Sequence, residues 1–324
     1  MQATDTVRVA FYNVENFFDY FDDSLKADEA FTPRGVYAWT KARYETKCSR
    51  LFKVIASLGE TTGLPMLIGF CEIENNKVLS DLIYGTPLRK YGYRYVHHES
   101  ADARGIDVAL IYRPQQFAIL EEQPVHIVYA PDTVSRTRDI LYVKGVVLGV
   151  DTLHVFVCHF PSKYGGLLAT VAKRAHTATT LKNRVDSILN VNNDANIVIM
   201  GDFNDEPTDE SMIHNLAAQC DTTNLTPYSL VNLMCPFVGK HGSHKYREQW
   251  SIIDQIIVSK GLFLQHGNLS IRQRQAHIFE APFLLIEDAT YWGKKPYRTY
   301  VGMKYQGGYS DHLPVYVDLV IIEN

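Results

Sequence analysis

Short apolar runs recur along this chain, and five of them stop on acids, amides or histidines instead of ordinary turn residues. The clearest is "NIVIMGDFNDEP", residues 196–207, where a run suited to a buried strand enters Gly-Asp-Phe-Asn-Asp. A chain that only had to turn would use Asn-Gly or Pro-Asp. The same kind of ending supplies Asn13 and Glu15 in "FYNVEN", Glu72 in "GFCEIEN", His159 and Lys163 in "VCHFPSK", and Ser310, Asp311 and His312 in "YSDHLPV". A carboxylate at the end of a buried strand is costly to desolvate unless a cation or a donor faces it. Taken singly, each ending reads as a turn or a cap. Their recurrence does not.

The strands themselves are legible from β-forming residues bounded by turn signals. They are "VRVAFYNVE" (7–15), "PMLIGFCEIEN", "GIDVALIYRP", "RDILYVKGVVLGV", "TLHVFVCHFPS", "NIVIMGD", "SIIDQIIVS" and "HLPVYVDLVI". Gly149 and Asp151 join two of them in hairpin fashion. "WTKARYETKCSRLFKVIASLG" places Tyr44, Cys48, Leu51, Phe52 and Ile55 at three- and four-residue spacing, which predicts an amphipathic helix stopped by Gly59. Helices are also expected over 167–190 and 208–218. With many strands and few helices, the chain lacks the strict βαβ rhythm of a doubly wound parallel sheet. Two mostly antiparallel sheets packed face to face, with helices outside, fit better. No repeat, low-complexity block or Pro/Ser-rich linker interrupts the 324 residues, so residues 1–324 are expected to form a single domain.

Composition removes several alternatives. The 46% hydrophobic and 21% charged content is that of an ordinary soluble globular protein. No run reaches the ~18–20 apolar residues of a membrane span. "MQATDTVRVAFYN" lacks the basic and long apolar regions of a signal peptide, which leaves a cytoplasmic protein or one whose leader has been removed. The five cysteines, Cys48, Cys71, Cys158, Cys220 and Cys235, are scattered, odd in number and without a C-x-x-C pair. That argues against a disulfide framework and a zinc cage, and predicts buried free thiols. A net charge of −4 gives no global attraction to polyanions.

Several carboxylates sharing one rim would suppress one another's ionisation unless a divalent ion lay between them. Oxygen ligands without cysteine point to Mg²⁺, Mn²⁺ or Ca²⁺. The ordered set of strand ends resembles the endonuclease/exonuclease/phosphatase superfamily, with a DNase I-like fold, over nearly the whole chain from Asn13 to His312. Gly-Asp-Phe-Asn at 201–204 and Ser-Asp-His at 310–312 are its specific motifs. The resemblance implies an α/β protein, a four-layer α/β/β/α sandwich of two mostly antiparallel, mixed sheets, with the site at one end of both.

The same resemblance implies roles. Glu72 is the principal metal ligand, joined by Glu15 and Asp311, for Mg²⁺ with Mn²⁺ or Ca²⁺ as substitutes. Asp202 positions or deprotonates the attacking water, His312 is the catalytic histidine and Asp254 supports it. Asn204 and His159 contact phosphoryl oxygens. Asn13 orients the metal ligand and the phosphate, and Lys163 and Arg104 are placed with the phosphate. There are departures: Cys71 stands where many relatives have Gln, and Asp107 where several nucleases have a small residue. "HFPSKYGG" is similar to a bacterial subgroup and carries no substrate information.

The implied activity is hydrolysis of a phosphate ester by in-line attack of water, by a monomer. For the substrate, "TYWGKKPYRTYVGMKYQGGYSDH" interleaves Lys294, Lys295, Arg298 and Lys304 with Tyr291, Trp292, Tyr297, Tyr300, Tyr305 and Tyr309. Cations with aromatics suit a nucleic acid strand, which makes a nuclease the leading expectation. A tyrosine-rich loop packing on a sheet edge is the competing reading. No apolar hairpin for a bilayer is evident in the sequence, so lipid substrates rank lower. His241 and His244 read as a rim loop. A phosphatase or phosphodiesterase of a small phosphorylated metabolite, inositol phosphate or lipid headgroup remains open. So does a binding module of the same fold without catalysis.

Overall fold

The computed structural model describes residues 5–322 apart from 132–133, 135–136 and 164–166. Tyr164 to Gly166 of the "HFPSKYGG" phrase therefore lie outside the described residues. In chain order, β1 (Thr6–Phe17) leads to α1 (Lys41–Leu58), β2 (Leu67–Ile73) and α2 (Asn76–Tyr84). Next come β3 (Arg94–His97), β4 (Asp107–Tyr112), β5 (Phe117–Val125), β6 (Ile140–Val147), β7 (Asp151–His159), α3 (Leu167–Val191) and β8 (Asn196–Asp202). Short β9 (Ala218–Gln219) and β10 (Leu230–Asn232) precede the hairpin of β11 (His244–Tyr246) and β12 (Gln249–Ser251). β13 (Asp254–Ser259), α4 (Lys260–Leu264) and β14 (Leu269–Ile278) follow. Two small hairpins, β15 (Leu285–Glu287) with β16 (Lys294–Pro296) and β17 (Tyr300–Val301) with β18 (Lys304–Tyr305), come before the closing strand β19 (Val315–Ile321).

One sheet runs β14-β19-β1-β2-β4-β3 and the other β5-β6-β7-β8-β13-β10-β9. The pairs β1–β2, β7–β8 and β9–β10 are parallel; the other neighbours within these two sheets are antiparallel. Period-two alternation along the strands divides their side chains between layers. Val9 and Phe11 of β1 face Val155, Val157, Val198 and Met200 across the gap between the sheets. Ala10, Tyr12 and Val14 face outward onto Tyr44, Leu51 and Ile55 of α1 and Val78 and Leu79 of α2. On the far side, Phe156, Ile197 and Ile199 pack under Ala178, Leu181 and Val185 of α3. These three cores separate four layers, α/β/β/α, as the sequence implies.

The first helix begins where Thr40 caps it, its side chain accepting from the Arg43 amide, and ends at Gly59. The helix expected over 208–218 is reduced to one wide turn at Ser211–Asn215, because β9 takes Ala218 and Gln219 into the sheet edge. The expectation of five free thiols is corrected: Cys220 and Cys235 form a disulfide with Cα atoms 5.6 Å apart. Parallel pairing of β9 with β10 brings these distant residues side by side, a contact that no local spacing motif encodes. Cys48, Cys71 and Cys158 are free and buried, as expected. Among the described residues no helix is long and apolar enough to cross a membrane.

Candidate active site

Three neighbouring strands of the second sheet end together. His159 closes β7 in register with Asp202 of β8, and Asp202 is in register with Asp254 of β13. β7 and β8 can run this close because residue 201 is glycine. A Cβ there would lie 2.4 Å from the Cys158 carbonyl oxygen. Its function is close strand approach, and the sharp turn comes later, at Asn204 with φ 52°.

The first sheet meets these ends through two irregularities. β1 slips register against β2 between Asn13 and Phe17, and β2 slips against β4 around Glu72. Glu15, Asn16 and Glu72 all have positive φ, a conformation costly for residues with a Cβ. Such bulges re-aim side chains at the edge of a sheet. Here the Asn13 side chain donates to Asp202 Oδ2 at 3.0 Å and lies 3.4 Å from both Glu72 Oε1 and His312 Nε2. Asn13 therefore ties the two sheets together at the site.

His312 arrives from the segment before β19. Its Nδ1 meets Asp254 Oδ2 at 2.7 Å and its Nε2 points toward Asp202 Oδ2 at 3.9 Å. Burial disfavours its charge, but Asp254, Asp311 and Asp202 outweigh that and hold its pKa well above the usual histidine value. Burial pushes Asp202 up to about 7, against the pull of His312. His159 lies 3.8 Å from Asp202 and is kept neutral by burial and by the charges of Arg138 and Arg104. Asp202, its pKa raised, thus lies between His312, whose pKa is raised, and His159, whose pKa is lowered.

Other predicted residues have different surroundings. Glu15 accepts from Arg298 Nε at 3.1 Å and from the Thr299 amide at 2.6 Å, so both its oxygens are taken. Arg298 also donates to Asp311 Oδ2 at 2.8 Å. Burial and the Asp311 charge raise Glu15 to about 7, while Asp311 is lowered to about 2 by His312, Arg298 and His244 against its partial desolvation. Asn204 donates to the Phe160 carbonyl at 3.0 Å. Lys163 is held by Asp205 and Asp209, each at 3.1 Å. Asp205 also takes Arg174 at 2.7 Å and Ser211 at 2.6 Å, which makes it structural. Arg104 is half-exposed, 3.6 Å from Asp102. Cys71 is buried between the sheets with its thiol pKa raised by burial, so it supplies no thiolate.

The sequence reading missed three groups. Lys47 of α1 is fully buried; its Nζ donates to Thr299 Oγ1 at 2.7 Å and to the Tyr309 carbonyl at 2.5 Å. Its pKa is lowered to about 8 by burial, with Glu15, Asp311 and Glu72 pulling the other way. Its signal was a lysine on the apolar stripe, between Tyr44 and Leu51. Arg138, paired with Asp102 at 2.8 Å, donates to the carbonyls of His159 and Phe160. His244, read as a rim residue, pairs with His312 through an isolated bridge, with ring centroids 4.7 Å apart.

The cation- and tyrosine-rich segment divides. Tyr297, Tyr300, Tyr305 and Tyr309 pack into the outer core with Trp39. Lys295 pairs with Asp288 at 3.0 Å, and Arg298 belongs to the acids above. Lys294, Lys304 and Trp292 remain exposed. The β17–β18 hairpin also carries exposed Val301 and Met303, next to the exposed Lys304.

A divalent cation is implied by the strand-end acids, and the donor chemistry fits one. Glu72 and Asp311 have side chains 16% and 20% exposed, the most open acids of the cleft. Glu72 Oε2 takes the Asn16 amide at 2.7 Å, leaving Oε1 toward the cleft, and Asp311 Oδ1 lies 3.9 Å from His312 Nε2 with His244 close by. These are hard oxygen donors. Glu15 does not share this openness.

A family model described as endonuclease/exonuclease/phosphatase family matches residues 8–320. No curated protein matches the chain by sequence. Among solved structures, an endonuclease/exonuclease/phosphatase family protein from Bacteroides thetaiotaomicron superposes with a TM-score of 0.60 at 15% identity, covering 99% of this chain and 100% of that one. D. rerio TDP2 with a single-strand DNA product gives 0.56 at 14%, covering 97% and 98%. A mannosyl-6-phosphatase from Bacteroides thetaiotaomicron gives 0.56 at 14%, covering 97% and 100%. At these identities the likeness is one of fold.

Proposed function

The chain belongs to the endonuclease/exonuclease/phosphatase family and is a metal-dependent phosphoester hydrolase, and from that premise we propose that it cleaves a compact phosphate ester, using Mg²⁺, as one domain and a monomer. The observation that carries the substrate class is where the cations end. Lys163, Lys295 and Arg298, each predicted to meet phosphate, are committed to Asp205, Asp288 and Glu15 with Asp311. A nucleic acid strand needs a row of free cations along its backbone, whereas a compact ester needs only the cleft.

In this reading Glu72 and Asp311 would hold the cation, which would supply charge neutralisation at the phosphoryl oxygens. Asp202, with a pKa near neutrality, accepts the proton of the attacking water. The His312 imidazolium, fixed by Asp254, stabilises the negative charge that builds on the phosphoryl group. Asn13 holds Asp202 in place across the sheet gap. His159 is neutral and donates or accepts a hydrogen bond to the ester.

A second reading, a nuclease, is favoured by one observation: Trp292 is 95% exposed beside Lys294, a stacking platform next to a free cation. The two separate in one experiment. Sugar phosphates, a small chromogenic diester and single-stranded DNA are compared as substrates with Mg²⁺ and with a chelator. Turnover confined to the small esters supports the proposal. DNA cleavage that outpaces both, and that falls on Trp292→Ala, overturns it.

A further inference from the structure

At the edge where β3 and β4 meet, the His97 ring and one carboxylate oxygen of Asp107 are buried without hydrogen-bond partners. The His97 side chain is 0% exposed and neither ring nitrogen has a hydrogen bond. Asp107 is 2% exposed; its Oδ1 accepts from the Ser100 amide at 3.2 Å, but its Oδ2 is unpartnered, 3.5 Å from His97 Nε2. Three unsatisfied polar atoms on two packed side chains are a costly arrangement. Glu99 brings a third ligand atom, so that one atom from each of His97, Glu99 and Asp107 lies within 4.8 Å of the others. The other Glu99 neighbour is Lys26 at 3.5 Å, on a half-exposed side chain that is free to swing. On the other flank of Asp107, a partly open space of about 10 Å³ is lined by His98 and Asp139 and not by His97 or Glu99.

We propose that His97, Glu99 and Asp107 form a second metal site, for a divalent ion of the zinc class. One imidazole nitrogen with two carboxylate oxygens and no sulfur is a borderline donor set, suited to Zn²⁺ or Co²⁺ and poorly to Mg²⁺, which takes oxygen and water. Its donors are residues other than the cleft's Glu72 and Asp311, and the site does not depend on which ester is cleaved. Its role is structural. It clamps the start of β4 to the segment 97–107, in which Asp102 holds Arg138 and Arg138 holds the carbonyls of His159 and Phe160. An ion at the sheet edge thereby fixes the strand end that presents His159.

The test uses the full chain, stripped with a chelator and titrated with Zn²⁺ or Co²⁺ in excess Mg²⁺. Equilibrium dialysis counts bound metal, cobalt absorption reports its ligands, and melting temperature reports the clamp. The expected result is one zinc equivalent that survives Mg²⁺, raises the melting temperature and persists in Glu72→Gln. That equivalent should be lost, or bound roughly tenfold or more weakly, in His97→Gln. Should His97→Gln not fold, Glu99→Gln changes a half-exposed ligand and must alter the cobalt spectrum. Equal zinc uptake and equal melting response in wild type and these variants would mean an ordinary His97–Asp107 pair only, and would overturn the proposal.

Discussion

Asp202 carries two demands that conflict: it must be ionised to accept a proton, yet it is buried beside Asp254. The Asn13 amide and the His312 imidazolium resolve the conflict by facing the same oxygen. Asp202→Asn and His312→Ala should each slow turnover by about 10²- to 10⁴-fold with folding unchanged. If, as proposed, both act on one water and one phosphate, the double variant should be far less impaired than the product of the single effects. A rate equal to that product, measured at saturating Mg²⁺, would separate their roles. These two residues were readable from sequence because their chemical type at a strand end is anomalous. Lys47 was not, since its partners Thr299 and Tyr309 lie 252 and 262 residues away and no local pattern names them. Lys47→Met keeps the packing and removes the charge that Glu15 and Asp311 feel. We expect a loss of about 3 kcal/mol in urea unfolding, as for a broken buried pair.

At the scale of elements, runs of β-forming residues bounded by turn signals and the three- and four-residue spacing of α1 revealed the strands and the first helix. They failed where an element is decided by its neighbour. The turn at Ser211–Asn215 is short because the sheet edge claims Ala218, and the disulfide exists because β9 lies beside β10. Neither fact is local. The disulfide pins the last two strands of the second sheet across a separation of 15 residues, which should stabilise the chain by about 3 kcal/mol. Thiol titration of the unfolded, unreduced protein should find three reactive cysteines, and Cys220→Ser should lower the urea midpoint by an amount that reduction of the wild type reproduces. Five reactive thiols would remove the bond.

Across the whole molecule, the cleft draws on both sheets and on α1, so its charges are balanced by protein before any ion arrives. Arg298 and Lys47 answer Glu15 and Asp311. Returning Mg²⁺ to chelator-treated protein should therefore restore turnover while hardly moving the melting temperature. A large rise with Mg²⁺ alone would show that the acids are unbalanced without it. The strand order has a further consequence, for synthesis. β1 lies between β2 and β19, and Asn13 meets His312 across 299 residues. At the roughly 5–20 residues per second of translation, β1 waits about 15 s or longer for its second neighbour. During that time Asp202 is made but has no imidazolium beside it and no Asp311 nearby. On the proposed mechanism the emerging chain should therefore be inert toward phosphate esters until the final strand docks.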